Sequence, residues 1–245
     1  MDPNGKIALV TGGARMGPAV AGALARRGCD VALTYRNSAE QAEAAAAIVR
    51  RHGARALTVR ADLAEPDTVP RTIDAVLGGL GGIDILICMA SVYRRTPLNT
   101  LDEEAWRANL EVDLGSVYRL ALASAPIMRE RGAGRIIAFS DWLPASHRPR
   151  YRGWVHYYVA KTGVIGLVEG LALELAPQIL VNAIAPGPIL KPEGLSDEAE
   201  REVREATPLG RWGGPEEIAR TVLFLAETDF ITGETIRVDG GRHLN

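Results

Sequence analysis

Short apolar runs recur along the chain, with longer mixed segments between them. The runs at residues 6–10, 30–35, 56–60, 83–89, 135–139, 180–185 and 235–238 are rich in Val, Ile, Leu and Ala and do not alternate with polar positions. A strand with one wet face alternates, whereas a strand covered on both faces does not. These runs therefore predict the buried strands of a parallel sheet. Between them, segments 18–27, 39–52, 66–78, 103–131, 155–176 and 215–226 place apolar residues at helical spacing. Alternation on this scale predicts right-handed βαβ units. No linker, repeat or low-complexity tract divides the chain. Residues 1–245 are thus expected to form one domain: α/β, a doubly wound parallel sheet of Rossmann type with helices on both faces.

In such sheets ligands bind beyond the carboxyl ends of the strands, near the point where strand order reverses. Chemistry is accordingly sought in the segments after the strands, at 11–17, 36–38, 61–63, 90–97, 140–156 and 186–195. Composition narrows the ligand. A formal net charge of -2 with 24% charged residues offers no basic field for a phosphate backbone, so nucleic acid is not an expected partner. The two cysteines, Cys29 and Cys88, stand far apart without clustered histidines, and no metal site is expected. No apolar run approaches the roughly 20 residues needed to cross a bilayer. The first residues enter an apolar strand without a basic start and cleavage site, which makes the cytoplasm the expected location. A small-molecule substrate fits best.

The first strand runs into Thr11-Gly12-Gly13-Ala14-Arg15-Met16-Gly17-Pro18 and then a helix. Glycines allow tight turning and let the backbone approach a pyrophosphate, which rests on the helix N-terminus. Pro18 suits a first helical turn, where no amide hydrogen is required. A glycine-rich turn alone is a weak signal; its place at the opening of the first βαβ unit strengthens it. The second strand ends in Tyr35-Arg36-Asn37-Ser38, with no acidic side chain to hold ribose hydroxyls. Arg36, with Arg15 on the adjacent loop, instead offers guanidinium forks to a 2′-phosphate, which favours NADP(H) over NAD(H). Asp62, beside Leu63 after the third strand, is placed either to bond the adenine amine or to N-cap the next helix.

The sharpest pattern is Tyr157-Tyr158-Val159-Ala160-Lys161 within a helical segment. Residues four apart share a helix face, so Tyr157 and Lys161 can converge on one site. A tyrosine with an ordinary pKa near 10 is a poor acid or base at neutral pH, and a neighbouring ammonium lowers that pKa. Alone, this spacing is also that of a surface Tyr beside a solvated Lys.

Together with the loop at 11–18 and Asn182-Ala183-Ile184-Ala185-Pro186-Gly187-Pro188, the sequence resembles the short-chain dehydrogenase/reductase family from about residue 6 to 241. The resemblance implies that Tyr157 exchanges a proton with the substrate oxygen. Lys161 would hold the nicotinamide ribose and tune the tyrosine, and the backbone from Pro186 through Gly187 to Ile189 would meet the carboxamide. Gly12, Gly17, Ala90 and Ser38 fall on cofactor-contacting positions. Departures are specific. Met16 and Pro18 stand at the later glycine positions of the loop, Asp141 at the usual catalytic serine, and Asp113 at the usual assisting asparagine. Cys88-Met89-Ala90-Ser91 replaces the family's N-N-A-G, and the loop between Asp141 and Tyr157 runs about three residues long.

Several departures coincide with the pteridine reductases, including the dihydromonapterin reductase type. That branch also places Asp beside its Tyr–Lys pair. Ala90-Ser91-Val92-Tyr93-Arg94-Arg95-Thr96-Pro97-Leu98 resembles its A-S-x-F-x-x-T-P-L segment. Ser91, Tyr93 and Asp141 are then the expected substrate-binding residues, with Tyr93 stacking a flat heterocycle. The leading expectation is an NADPH-dependent reductase acting on a pterin-like C=N bond. A 3-oxoacyl-thioester or other ketone reductase is the alternative, and a non-catalytic dinucleotide sensor a lesser one. Asp141 is expected as a catalytic residue that shares in protonation, a polar neighbour of Tyr157 rather than an N-cap. Residues near 188–206 are expected to form a substrate lid, and the segments 103–131 and 155–176, which carry apolar stripes and which the resemblance implies pair across two-fold axes, to build a homotetramer. His52, His147 and Trp106 read as packing or surface groups, Trp142 as a packing residue or a wall of the pocket beside Asp141, and the arginines at 148–152 equally as a solvated loop or as contacts to an anionic tail.

Overall fold

The seven apolar runs become seven strands: β1 (Ile7–Gly12), β2 (Asp30–Tyr35), β3 (Ala56–Arg60), β4 (Ile85–Met89), β5 (Gly134–Phe139), β6 (Ile179–Pro186) and β7 (Thr235–Val238). The computed structural model describes all residues 1–245. The strands form one wholly parallel sheet in the order β3-β2-β1-β4-β5-β6-β7. Order reverses between β1 and β4, so a crevice opens past their carboxyl ends. Helices are α1 (Gly17–Arg26), α2 (Ala39–Arg51), α3 (Thr68–Leu80), α4 (Glu103–Leu110), α5 (Ser116–Glu130), α6 (Trp142–Ala145), α7 (Val155–Leu175), α8 (Asp197–Glu205) and α9 (Pro215–Glu227).

The absence of polar alternation has a direct cause. Along β1, Ile7 and Leu9 enter the core shared with α3, α5 and α7, while Ala8 and Val10 enter the one shared with α1, α2 and α9. Both faces are apolar because both are covered. Burying each such Leu or Ile side chain contributes about 1.5–3 kcal/mol. Leu9 lies fully buried in a central strand, so truncation to Ala should cost about 2–5 kcal/mol.

The expected helix at 103–131 is interrupted. A π-helical turn at Glu111–Gly115 joins α4 to α5, and Asp113 sits in it. Such one-turn π bulges collect at functional sites. The expected lid is irregular to Ser196 and then helical as α8. Ser196 caps that helix by accepting from the Ala199 amide at 3.2 Å, and Asp197, Glu198 and Glu200 favour its first turn. α8 buries no residue, so it has no apolar stripe to announce it. No helix is long and apolar enough to cross a membrane.

Candidate active site

β1 ends in a turn that only glycine permits. Gly12 has φ +66, and a Cβ there would lie 2.6 Å from Ala90 Cα at the end of β4. The first and fourth strands can therefore finish side by side, leaving the loop backbone exposed above them. α1 begins at Gly17 with Pro18 in its first turn. Met16 is its N-cap residue, makes no side-chain capping bond, and packs its half-buried side chain against the core. The bulk at this departure thus lies partly against the protein rather than wholly over the loop.

One cavity of about 870 Å³ runs along the strand ends. Every expected cofactor residue lines it: Gly12, Arg15, Met16, Gly17, Arg36, Asn37, Ser38, Asp62, Leu63, Ala90, Tyr157, Lys161, Pro186, Gly187 and Ile189. So do Ser91, Tyr93 and Asp141. Beside the ends of β2 and β3 an adjoining hollow of about 420 Å³ brings Arg36 together with Arg60 and Arg71, which the sequence had not singled out. None of the three has a carboxylate within 4.0 Å. Arg15 does not stand open beside them as expected, since its Nη2 donates to the Lys191 carbonyl in the segment after β6 at 3.0 Å. Asp62 accepts from the Ala64 amide at 3.1 Å, and α3 starts too late for Asp62 to cap it.

At the other end, one turn of α7 projects Tyr157 and Lys161 into the crevice. The Tyr157 hydroxyl donates to Asp141 Oδ2 at 3.0 Å. Asp141 Oδ1 accepts from the Leu143 amide at 2.9 Å and so caps α6. The expectation of a polar neighbour instead of a cap needs correction: each carboxylate oxygen does one of the two jobs. Lys161 Nζ donates to the Phe139 carbonyl at 2.8 Å and pairs with Asp113 Oδ1 at 3.0 Å. An ammonium has three donors, so one remains without a protein partner. Asp113 also accepts from the Val92 amide at 2.9 Å, from Asn109 Nδ2 at 2.7 Å, and from the Ser91 hydroxyl. Ser91, expected to meet substrate, is therefore turned toward Asp113.

These contacts set the proton affinities. Burial, then the carboxylates of Asp141 and Asp113, push the Tyr157 hydroxyl well above its ordinary value. Burial also raises Asp141, against the bonds it accepts from Leu143 and Tyr157 and the charge of Lys161. Lowering of Tyr157 by Lys161 was the expectation. The surrounding protein reverses it, because Tyr157 is desolvated and faces two acids. Tyr157 therefore rests as a protonated hydroxyl already aimed along a hydrogen bond.

The cavity wall beside Tyr157 is aromatic. Tyr93 stacks on Trp154 with centroids 4.3 Å apart, and both rings meet Tyr157 edge-on at 5.1 and 5.6 Å. Trp154 was not foreseen, nor was Arg242, which lies buried on the cavity wall with its guanidinium 5.6 Å from the Trp142 ring centroid. Trp142 does line the cavity, besides packing in the core. Buried His156 holds the Arg94 carbonyl through Nε2 at 3.2 Å and so anchors the segment carrying Tyr93. From the arginine-rich stretch, Arg148 bonds the His243 carbonyl at 3.0 Å, a tie within the protein. No group of three or more His, Cys, Asp or Glu side chains is arranged to hold a metal ion.

A family model described as Enoyl-(Acyl carrier protein) reductase matches residues 13–243. The chain belongs to the short-chain dehydrogenase/reductase family. It is thus an oxidoreductase rather than a dinucleotide sensor. It is 36% identical over 245 residues to the 3-oxoacyl-[acyl-carrier-protein] reductase FabG of Staphylococcus aureus, covering 98% of each chain. Among solved structures, a short chain dehydrogenase from Burkholderia cenocepacia in complex with NADP matches with TM-score 0.90 and 34% identity over 99% of both chains. The NADPH-dependent 3-quinuclidinone reductase of Rhodotorula rubra matches with TM-score 0.91 and 28% identity, over 100% of this chain and 93% of that one. Two of these relatives are reductases and the third a short chain dehydrogenase. The pteridine reductase branch expected from segment 90–98 draws no support from them.

Proposed function

We propose that the protein is an NADPH-dependent ketone reductase acting on a 3-oxoacyl thioester or a related 3-oxo compound. The observation that carries this is the Tyr157 hydroxyl, protonated and 3.0 Å from Asp141, on the same cavity as the glycine loop. NADP(H) is the cofactor, in keeping with Arg36 and the lack of an acid at the end of β2; when bound it supplies the hydride. Tyr157 passes its proton to the oxygen of the reduced carbonyl. Lys161 holds the ribose with its remaining donor, and Gly187 lets the backbone after β6 pack against Asp239, since a Cβ there would lie 2.5 Å from Asp239 Cβ. Asp141, raised by burial, orients the hydroxyl before transfer. The 36% identity to a 3-oxoacyl reductase across nearly the whole chain supports the substrate class.

A pterin-like heterocycle is the second reading. The stacked Tyr93–Trp154 pair beside Tyr157 favours it, because flat rings pack against aromatic faces. NADPH consumption measured with acetoacetyl-CoA and with dihydrobiopterin separates the two. Faster turnover of the 3-oxo thioester is expected, and preference for the pterin would reverse the order. Consumption with neither would remove both.

A homotetramer belongs to the same proposal. Tyr118 and Leu122 on α5 and Val155, Val159 and Leu173 on α7 are exposed apolar side chains on the two helices expected to pair. Light scattering should give about four times 26.3 kDa; a monomer mass at micromolar concentration would discard the assembly without touching the chemistry.

A further inference from the structure

Asp113 is fully buried, lies in the π-helical turn between α4 and α5, and pairs directly with Lys161 at 3.0 Å. Three further donors converge on it: Asn109 from α4, and Ser91 and the Val92 amide from the segment after β4. An asparagine, the residue the family usually carries here, has no negative charge to give Lys161. We infer that Asp113 is a positioning residue acting through Lys161: its carboxylate offsets the ammonium charge and so makes Tyr157 hold its proton to higher pH. The inference deepens the proposed role of Tyr157 and rests on it.

The charged and titratable groups facing Tyr157 are few. Asp141 bonds its hydroxyl, Lys161 Nζ lies 5.8 Å from its ring centroid, and Tyr93 lies edge-on. Tyr151 and Arg242 stand on the same cavity wall, while His156 on the same helix is turned to Arg94. Cys88 lies on β4 beyond Lys161, its thiol pushed up to about 12 by burial. Asp113 is thus one of two carboxylates around the pair, and its charge is felt by Tyr157.

Deleting a nearby negative charge makes ionisation of a tyrosine hydroxyl easier and so lowers its pKa. A reductase needs the tyrosine protonated, so its reductive rate should fall at lower pH once Asp113 loses its charge.

The test is an ultraviolet titration of tyrosinate in the purified protein, with Tyr157→Phe subtracted to isolate the Tyr157 transition. Asp113→Asn should move that transition down by about one pH unit or more. Ser91→Ala, which removes a hydrogen bond to Asp113 but no charge, should leave it within a few tenths. The falling limb of kcat/KM for reduction should shift with the titration. Asp113→Ser replaces the asparagine variant if that one does not fold. An unchanged or raised transition in a folded Asp113 variant overturns the inference. Because the titration needs no substrate, that outcome is separate from failure of the proposed reaction. If the titration moves while Tyr157→Phe keeps full turnover, the proposed reaction fails instead.

Discussion

At the nucleotide end of the crevice, Arg36, Arg60 and Arg71 surround a hollow with no carboxylate within 4.0 Å of any of them. At the catalytic end, Asp113, Asp141, Tyr157 and Lys161 are each already bonded to another group of the protein. The first arrangement suits binding. Exposed guanidiniums lose little by waiting in water and gain a charged partner only when an anionic phosphate arrives, although Arg60 already donates weakly to the Arg36 carbonyl at 3.4 Å. The second suits chemistry. A proton donor works fastest when its neighbours need no rearrangement as charge develops, and that demands buried groups satisfied in advance. Substitutions at the two ends should accordingly fail in different ways, one in affinity and selectivity, the other in turnover and stability.

The largest effect is expected at Tyr157. Tyr157→Phe removes the transferable proton and keeps the ring that packs against Tyr93 and Trp154, so kcat should fall by about 10²–10⁴-fold. Cofactor affinity, measured by fluorescence titration with NADPH, should barely change. Loss of affinity equal to the loss of turnover would erase the division between the two ends. Lys161→Met should instead damage stability as well as turnover. It leaves Asp113 buried without its counter-ion, at a cost of about 3–5 kcal/mol, read as a lowered denaturation midpoint. An unaltered midpoint would mean that water or a moved side chain replaces the ammonium at little cost.

How much of this was visible in the sequence differs between the two ends in the same way. The nucleotide end is local: Gly12, Gly17, Arg36 and Asp62 lie within a few residues of strand ends, so reading the strands was enough to place them. Tyr157 and Lys161 were equally legible because one helical turn brings them together. Asp113 was noticed as a departure, but its partner was not. The ion pair spans 48 positions of sequence and depends on a π-helical turn inside what the apolar pattern presents as one helix. Arg60 and Arg71 were invisible for a related reason, since β3 and α3 carry them to a hollow whose other side belongs to Arg36 and Asn37 after β2. Trp154 and Arg242 meet the cavity from a loop and from the C-terminal segment, neither of which has a periodicity to read. α8 was missed because none of its residues is buried, although Ser196 and the acids after it gave a capping signal.

An intermediate effect is expected at Arg36. Arg36→Asp replaces a donor fork with a carboxylate that repels a 2′-phosphate. A charge-assisted bond of this kind contributes about 1.5–3 kcal/mol, so preference for NADPH over NADH in kcat/KM should drop by about ten- to hundred-fold. The rate with saturating cofactor should be little altered, because no group at the catalytic end changes. Equal efficiency of the unaltered protein with both cofactors would contradict the open-arginine account. A loss shared out over Arg60→Ala and Arg71→Ala would show that the adjoining hollow takes part in holding the phosphate.

The smallest effect is expected at Arg15, and it tests the boundary between the two ends. Its position on the glycine loop suits a phosphate contact, yet its Nη2 donates to the Lys191 carbonyl at the start of the lid, between loop and α8. If that bond is its working role, Arg15 belongs to neither end and ties the lid over both. An exposed hydrogen bond contributes about 0.5–1.5 kcal/mol. Arg15→Ala should then reduce kcat/KM by about two- to tenfold, by the same factor with NADPH and with NADH. A 2′-phosphate contact would instead be lost with NADPH alone. The ratio of the two cofactor efficiencies is therefore the measurement, because it cancels any general loosening of the loop. A ratio that shifts as far as it does in Arg36→Asp would move Arg15 back among the open arginines, and the lid bond would be one that the arginine gives up when the cofactor binds.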